Sequence, residues 1–175
     1  KYYVTTAIDY PNAPPHMGHA YEKIIADFCA RWHRLNNEDV FFMTGTDEHG
    51  QKIEKTAKEK GIKTEKFVDS MVKNFVELCK KLNVSYSKFI RTTDESHIKA
   101  CKLIFRKVLD KGLIYKDKYE GFYCTGCERF YLEKDLENGK YCPVHKKEVE
   151  LIKEESYFFK MSKFQDKLIK HIKSN

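Results

Sequence analysis

Over its first 43 residues the chain writes a strand, a proline-rich loop, a helix and a second strand, and this order leaves few folds open. Residues 2–8 are rich in aromatic and β-branched side chains, the mark of a strand. Residues 9–15 hold three prolines and an Asn, which suit a loop. From Met17 to Leu35 the apolar positions Ile24, Ile25, Phe28, Cys29 and Trp32 recur at helical spacing. Residues 40–43 form a short continuous apolar run, expected of a strand buried on both faces. Two strands joined by a helix make a βαβ crossover, so the strands run parallel.

The alternation continues. A helix is expected over residues 51–60, stopped by Gly61, and a second with Phe67, Met71, Phe75, Leu78 and Leu82 on one face and Thr64 as its N-cap. Residues 84–90 read as a further strand. Thr93 is expected to cap a helix bearing Ile98, Cys101, Ile104 and Val108 and ending at Gly112. The fold class is therefore α/β, with a Rossmann-like parallel sheet of the doubly wound kind over residues 1–114. After Leu113 the composition shifts to aromatics, Gly and Cys, and a small lobe is expected over residues 115–175. Its last amphipathic stretch, with Phe164, Leu168, Ile169 and Ile172, is expected to be a helix truncated at Asn175. The N-terminus has neither an initiator Met nor a signal-peptide design, so a trimmed start is expected.

The formal charge of +7 permits an anionic partner such as a nucleic acid, although the lysines are interleaved with acids as on any solvated surface. No apolar run approaches the roughly 20 residues that span a bilayer, so no membrane association is expected. Six cysteines fall into two groups. Cys29, Cys79 and Cys101 stand alone at helical spacing and read as core residues. Cys124, Cys127, Cys142 and His145 lie close together, which fits a reducing compartment and one metal site better than a disulfide framework.

Two constellations carry chemistry. His16 and His19 flank the start of the first helix, just past the C-terminal end of the first strand, where open α/β sheets bind ligands. A helix N-terminus offers unpaired N–H groups and partial positive charge to a phosphate, and Gly18 would let a flat base approach the backbone. Taken bare, the pair could also be two ordinary loop histidines. Asp47 follows the second strand and could hold an ammonium group there, or serve equally as a turn residue or helix N-cap. Cys124-x-x-Cys127 and Cys142-x-x-His145 supply three thiolates and an imidazole, a closed tetrahedral set that favours one structural Zn²⁺. Gly126 suits the tight turn of a knuckle.

The segments Thr6-Ala7-Ile8-Asp9-Tyr10-Pro11-Asn12, His16-Met17-Gly18-His19 and Phe42-Met43-Thr44-Gly45-Thr46-Asp47-Glu48-His49-Gly50 closely resemble class I aminoacyl-tRNA synthetases, and within them the methionyl-tRNA synthetase family. Residues 119–131 with Cys142-Pro143-Val144-His145 resemble the connective-peptide zinc knuckle of its bacterial one-knuckle branch. The resemblance implies a HUP-type nucleotide-binding fold, the N-terminal half of which this chain would form. It implies ATP-dependent activation of methionine to the adenylate, then ligation to tRNA(Met), in the cytoplasm, with Mg²⁺ entering on ATP and no obligate protein partner. It further implies that His16 and His19 stabilise the transition state, and that Tyr10, Pro11, Asn12 and Gly18 join them around ATP. Ala7, Ile8, Tyr10 and Asp47 would hold methionine. Asp9 stands where members vary, and no role attaches to it.

Lys160-Met161-Ser162-Lys163 imitates the second ATP loop of this class, Lys-Met-Ser-Lys-Ser. Its fifth residue is Phe164, it opens an amphipathic helix, and no Gly-rich loop surrounds it, so it is not expected to be catalytic. The piece is accordingly expected not to turn over alone. Three readings remain beside this one: another class I synthetase, for cysteine or a branched aliphatic acid; a nucleotidyltransferase sharing the His-x-Gly-His segment; and a zinc-binding RNA module.

Overall fold

β1 (Tyr2–Asp9), α1 (Met17–Leu35) and β2 (Val40–Thr46) form the expected crossover, with β1 and β2 paired in parallel. α2 (Gln51–Glu59) and α3 (Thr64–Lys81) then carry the chain to β3 (Lys88–Arg91), which lies parallel to β2 in the order β1-β2-β3. The computed structural model describes residues 1–174, which divide into a first unit, Lys1–Lys99, and a second that begins at Ala100. Each step across the first sheet goes the same way. Right-handed crossovers then put α1 and α3 over one face, and the edge-on contact of His19 with Phe75, 5.3 Å between ring centroids, joins them.

Two apolar clusters hold this unit. Ala26, Ala30 and Phe42 pack with Val4, Val40, Val84 and Tyr86 between α1 and the sheet. Ile53, Ala57, Phe67, Val68 and Val72 join α2 to α3, with Phe89 against them.

The apolar stripe of α1 is not the face that docks. Ile24, Ile25, Phe28 and Trp32 are 49, 46, 68 and 58% exposed, whereas Ala20, Lys23, Ala26, Asp27 and Ala30 are buried. Small residues let the helix lie close on the sheet, and Phe42 from β2 supplies the bulk between them. Burial acts to raise the Asp27 carboxyl, but hydrogen bonds from Ser85 and Arg31 outweigh it and hold the group low.

Other local expectations change for identifiable reasons. β2 alternates at its start, with Phe41 43% exposed and Phe42 fully buried, so only its end, Thr44, Gly45 and Thr46, is buried throughout. The third strand is shorter than residues 84–90, because Ser85 is spent on Asp27 and Arg34 instead of a ladder. Lys63, not Thr64, is the N-cap of α3. Thr93 does not cap α4 (Glu95–Asp110), since its hydroxyl donates to Glu48. Cys79 is buried as expected, but Cys29 is half-buried and Cys101 exposed.

In the second unit β4 (Ile114–Cys124) pairs antiparallel with β6 (Glu150–Phe159) from Ile114↔Phe159 to Tyr123↔Glu150, and β5 (Arg129–Tyr131) pairs on its other edge. A 3-10 turn at Met161–Phe164 leads into α5 (Gln165–Ser174); the expected truncation point, Asn175, lies outside the described residues. The core of this unit is small: Cys124, Tyr131, Leu136, Cys142 and Val149. Among the described residues no helix is long and apolar enough to cross a membrane.

Candidate functional sites

His16 and His19 close the N-terminus of α1 on themselves. His16 is the N-cap, in extended conformation, and its Nδ1 accepts the Gly18 N–H at 3.0 Å. His19 Nδ1 accepts the His16 N–H at 3.0 Å, so the pair forms a reciprocal capping box built from two imidazoles. The rings stand 3.9 Å apart. Each Nδ1 must keep its lone pair to accept, so in each neutral ring the proton sits on Nε2. The segment therefore presents two Nε2–H donors beside a helix N-terminus. A Cβ at Gly18 would come within 2.8 Å of the His16 ring, so a larger residue there would push that ring from its place.

The crevice wall comes from strand ends. One extra residue in β1 bulges between Thr5 and Ile8, and the freed Ala7 N–H donates to Glu22 of α1 at 2.8 Å. Beyond the bulge Ile8 pairs with Gly45 and Asp9 with Thr46, and Asp47 N–H donates to Asp9 C=O at 2.9 Å. Ala7, Ile8 and Tyr10 are exposed, Asn12 and Asp47 half-buried, and Pro11 buried. The predicted residues of β1, the loop, α1 and β2 thus converge on one end of the parallel sheet. Asp47 is not the cap of α2: Gly50 occupies that position, without a side-chain hydrogen bond.

Two polar groups beneath the crevice were not singled out by spacing or resemblance. Asp9 is 5% exposed and Lys23 is fully buried, and the Lys23 ammonium bonds Asp9 Oδ2. Asp9 Oδ1 faces His19 Nε2 at 3.9 Å, beyond hydrogen-bond reach. Desolvation lowers the His19 pKa, and Asp9 opposes it while His16 and Lys23 add to it. The other group is Glu48, 4% exposed, which takes Arg91 through both oxygens at 2.7 and 3.0 Å and the Thr46 hydroxyl at 2.7 Å. Thr92 Oγ1 accepts the Glu48 N–H at 2.8 Å, so the turn after β2 is pinned on β3. The sequence signal for Lys23 was its place four residues after His19, on the helix face that also carries Ala20, Ala26 and Ala30.

In the second unit the ligand atoms of Cys124, Cys127, Cys142 and His145 all lie within 4.8 Å of one another. Cys127 Sγ is 3.5 Å from Cys142 Sγ and 3.1 Å from His145 Nδ1, and Cys124 Sγ is 3.8 Å from His145 Nδ1. Tetrahedral zinc with bonds of about 2.3 Å to sulfur and about 2.0 Å to nitrogen needs ligand separations of about 3.5–3.8 Å, a range the observed separations bracket, and three thiolates with an imidazole are a donor set that suits the ion. Burial acts to raise the Cys142 thiol, but the His145 N–H at 3.4 Å and the other hydrogen bonds around it hold it at about 5. Tyr131 Oη lies 3.1 Å from Cys127 Sγ, within reach to donate to a thiolate; spacing gave no hint of it. Gly126 is required for space rather than for a turn: a Cβ would meet the His145 ring at 2.9 Å. The left-handed positions of the knuckles are Glu128 and Lys146.

Lys160 is engaged within its own unit. Its Nζ donates to Gly112 C=O at 2.9 Å and lies over the Tyr115 ring.

The family model described as tRNA synthetases class I (M) matches residues 2–149. Methionine–tRNA ligase of Clostridium tetani is 52% identical over 174 residues, 99% of this chain and 27% of that protein. The Clostridium perfringens ligase is 53% identical with the same coverage. The chain spans about a quarter of the length of these curated relatives (27%). Among solved structures, Mycobacterium tuberculosis methionyl-tRNA synthetase in complex with methionyl-adenylate superposes with a TM-score of 0.92 at 43% identity, over 99% of this chain and 35% of that one. The paired imidazoles at the helix start, the strand-end carboxylate and the Cys₃His cluster thus sit in a chain that belongs to the class I tRNA synthetases (M).

Proposed function

We propose that this chain supplies the His-x-Gly-His side of an active site that activates methionine with ATP and passes the methionyl group to tRNA(Met). The observation that carries the reading is the two-imidazole capping box, which fixes two Nε2–H donors at a helix N-terminus beside the end of a parallel strand. Domain roles follow: residues 1–114 as the first half of the nucleotide-binding fold, residues 115–175 as the connective lobe.

In that reaction the methionine carboxylate attacks the α-phosphorus in line, the bond to the bridging oxygen breaks, and pyrophosphate leaves. His16 and His19 donate from Nε2 to phosphate oxygens as charge builds, and the α1 dipole adds to them. Tyr10, Pro11, Asn12 and Gly18 line the nucleotide side. Asp47 takes the α-ammonium group and, with Ala7, Ile8 and Tyr10, fixes methionine for attack. Mg²⁺ arrives with ATP. A zinc ion on Cys124, Cys127, Cys142 and His145 would leave no open position, so its part is structural.

The test is methionine-dependent ATP–pyrophosphate exchange by the full-length protein, with cysteine and isoleucine as competitors. Exchange with methionine that falls at least a hundredfold in His19→Ala supports the reading. Preference for another amino acid, or an indifferent His19→Ala variant, overturns it. The 175 residues alone are expected to show no exchange above that variant.

A further inference from the structure

Lys23 is a fully buried lysine in the first turns of a helix whose N-terminus is the phosphate end of the site, and the mechanism above does not use it. Its one ionic partner among the described residues is Asp9, itself 5% exposed. The pair is oriented. Asp9 gives Oδ2 to Lys23 and leaves Oδ1 at 3.9 Å from His19 Nε2. Without a competing cation, a buried carboxylate that close to an imidazole N–H would move in and take it, because an uncompensated buried charge is costly. It would then favour the imidazolium form.

We propose that Lys23 is a positioning residue that holds Asp9 off His19, keeping the His19 ring neutral with its Nε2–H available to the phosphate. The proposal rests on the reading of His19 as a phosphate donor. The groups facing His19 are Asp9 on β1, His16 at the cap, Glu22 and Lys23 on α1, and the Phe75 edge on α3. Cys79 of α3 lies by the Asp9–Lys23 pair, where burial pushes its thiol up. Glu22 is engaged by the Ala7 N–H. Asp9 is therefore the carboxylate whose position decides the state of the ring. Protonating His19 on Nδ1 would also expel the His16 N–H from its acceptor and undo the capping box.

The variants are Lys23→Met, Lys23→Arg, Asp9→Asn and the double variant Asp9→Asn/Lys23→Met, each in the full-length protein. Two readouts are taken against pH. One is the carbethoxylation rate of His19 by diethyl pyrocarbonate, followed by peptide mass spectrometry, which reports the neutral ring. The other is the acid limb of methionine-dependent pyrophosphate exchange. Lys23→Met is expected to raise both midpoints by about 1 pH unit, the size of effect an opposite charge has at this range. Asp9→Asn, with Lys23 left beside the ring, is expected to lower them, while Lys23→Arg and the double variant return to the parent value.

Unmoved midpoints in the single variants, or a double variant that keeps the Lys23→Met shift, overturn the proposal. Should one single variant fail to fold, the sign of the other still decides it. Absence of exchange in the parent protein sinks the functional reading alone, because carbethoxylation reads His19 without catalysis.

Discussion

Gly45 of β2 pairs with Ile90 of β3, and replacing it by Ala tests whether the sheet positions the site. A Cβ built there would lie 1.9 Å from the Ile90 carbonyl oxygen and 2.7 Å from its Cγ2. An ordinary contact needs about 3.4 Å, so the strands must part by roughly 1.5 Å or the new methyl must bend the backbone. The obstacle is main chain held by the Gly45↔Ile90 pair, so rotamer change gives no relief. Gly45→Ala should therefore cost about 3 kcal/mol, the upper end for overpacking. Function should suffer beyond stability, because Asp47 follows two residues later and hangs from Asp9 by its N–H. A displacement of about 1 Å at a positioning group is worth about a hundredfold in rate. Urea unfolding and methionine-dependent pyrophosphate exchange of the full-length variant read the two effects separately. A variant within about 0.5 kcal/mol of the parent, with exchange within twofold, would refute the claim that β2 and β3 are in forced contact and fix Asp47.

Phe42→Ala empties the cluster beneath α1 at a side chain with no exposure, and should cost about 3–5 kcal/mol in the same unfolding assay. Chelation should release one zinc per chain, measured by elemental analysis, and open residues 124–149 to proteolysis, since two of the five buried residues there belong to the Cys₃His cluster proposed to hold the ion. The His19 pKa is lowered in the fold, so the unfolded chain takes up the proton first as pH falls. Its share of stability is full above about pH 6.5 and is lost as pH drops below that value; thermal unfolding between pH 5 and 8 should show the loss, and His19→Gln should flatten it. Lys163→Ala, in the segment that imitates an ATP loop, should leave exchange within twofold.

Elements with a strong period were legible in sequence, and α1 begins and ends at the residues expected of it. The face it buries was not. Apolar spacing marks a stripe, and Ile24, Phe28 and Trp32 do form one, but the distance between helix and parallel sheet rewards Ala26 and Ala30 instead. Caps failed for a related reason. Thr93 has the right type and place for a cap, yet a buried Glu48 45 residues earlier in the chain outcompetes the helix for its hydroxyl. The Cys₃His cluster was legible, because Cys-x-x-Cys and Cys-x-x-His are local spacings that bring four ligand atoms together. Tyr131 was not, since its role depends on the pairing of β5 with β4.

The same contrast explains how each unit arranges its polar groups. In the first, every charged residue buried at the sheet's C-terminal edge is matched by another from a different element: Asp9 by Lys23, Glu48 by Arg91. Neither partner can be inferred from a local motif, because each pair closes only after the crossover has formed. Glu48 then ties the turn bearing Asp47 to β3, and Asp9 ties the loop bearing His16 to α1 by way of Lys23. The two pairs thus brace the two sides of the sheet's C-terminal end, which the Asp47 N–H to Asp9 C=O bond joins. Losing either should displace the groups it braces more than those across the sheet, which feel the loss only through that shared bond, an asymmetry that a single apolar core beneath the site would not produce.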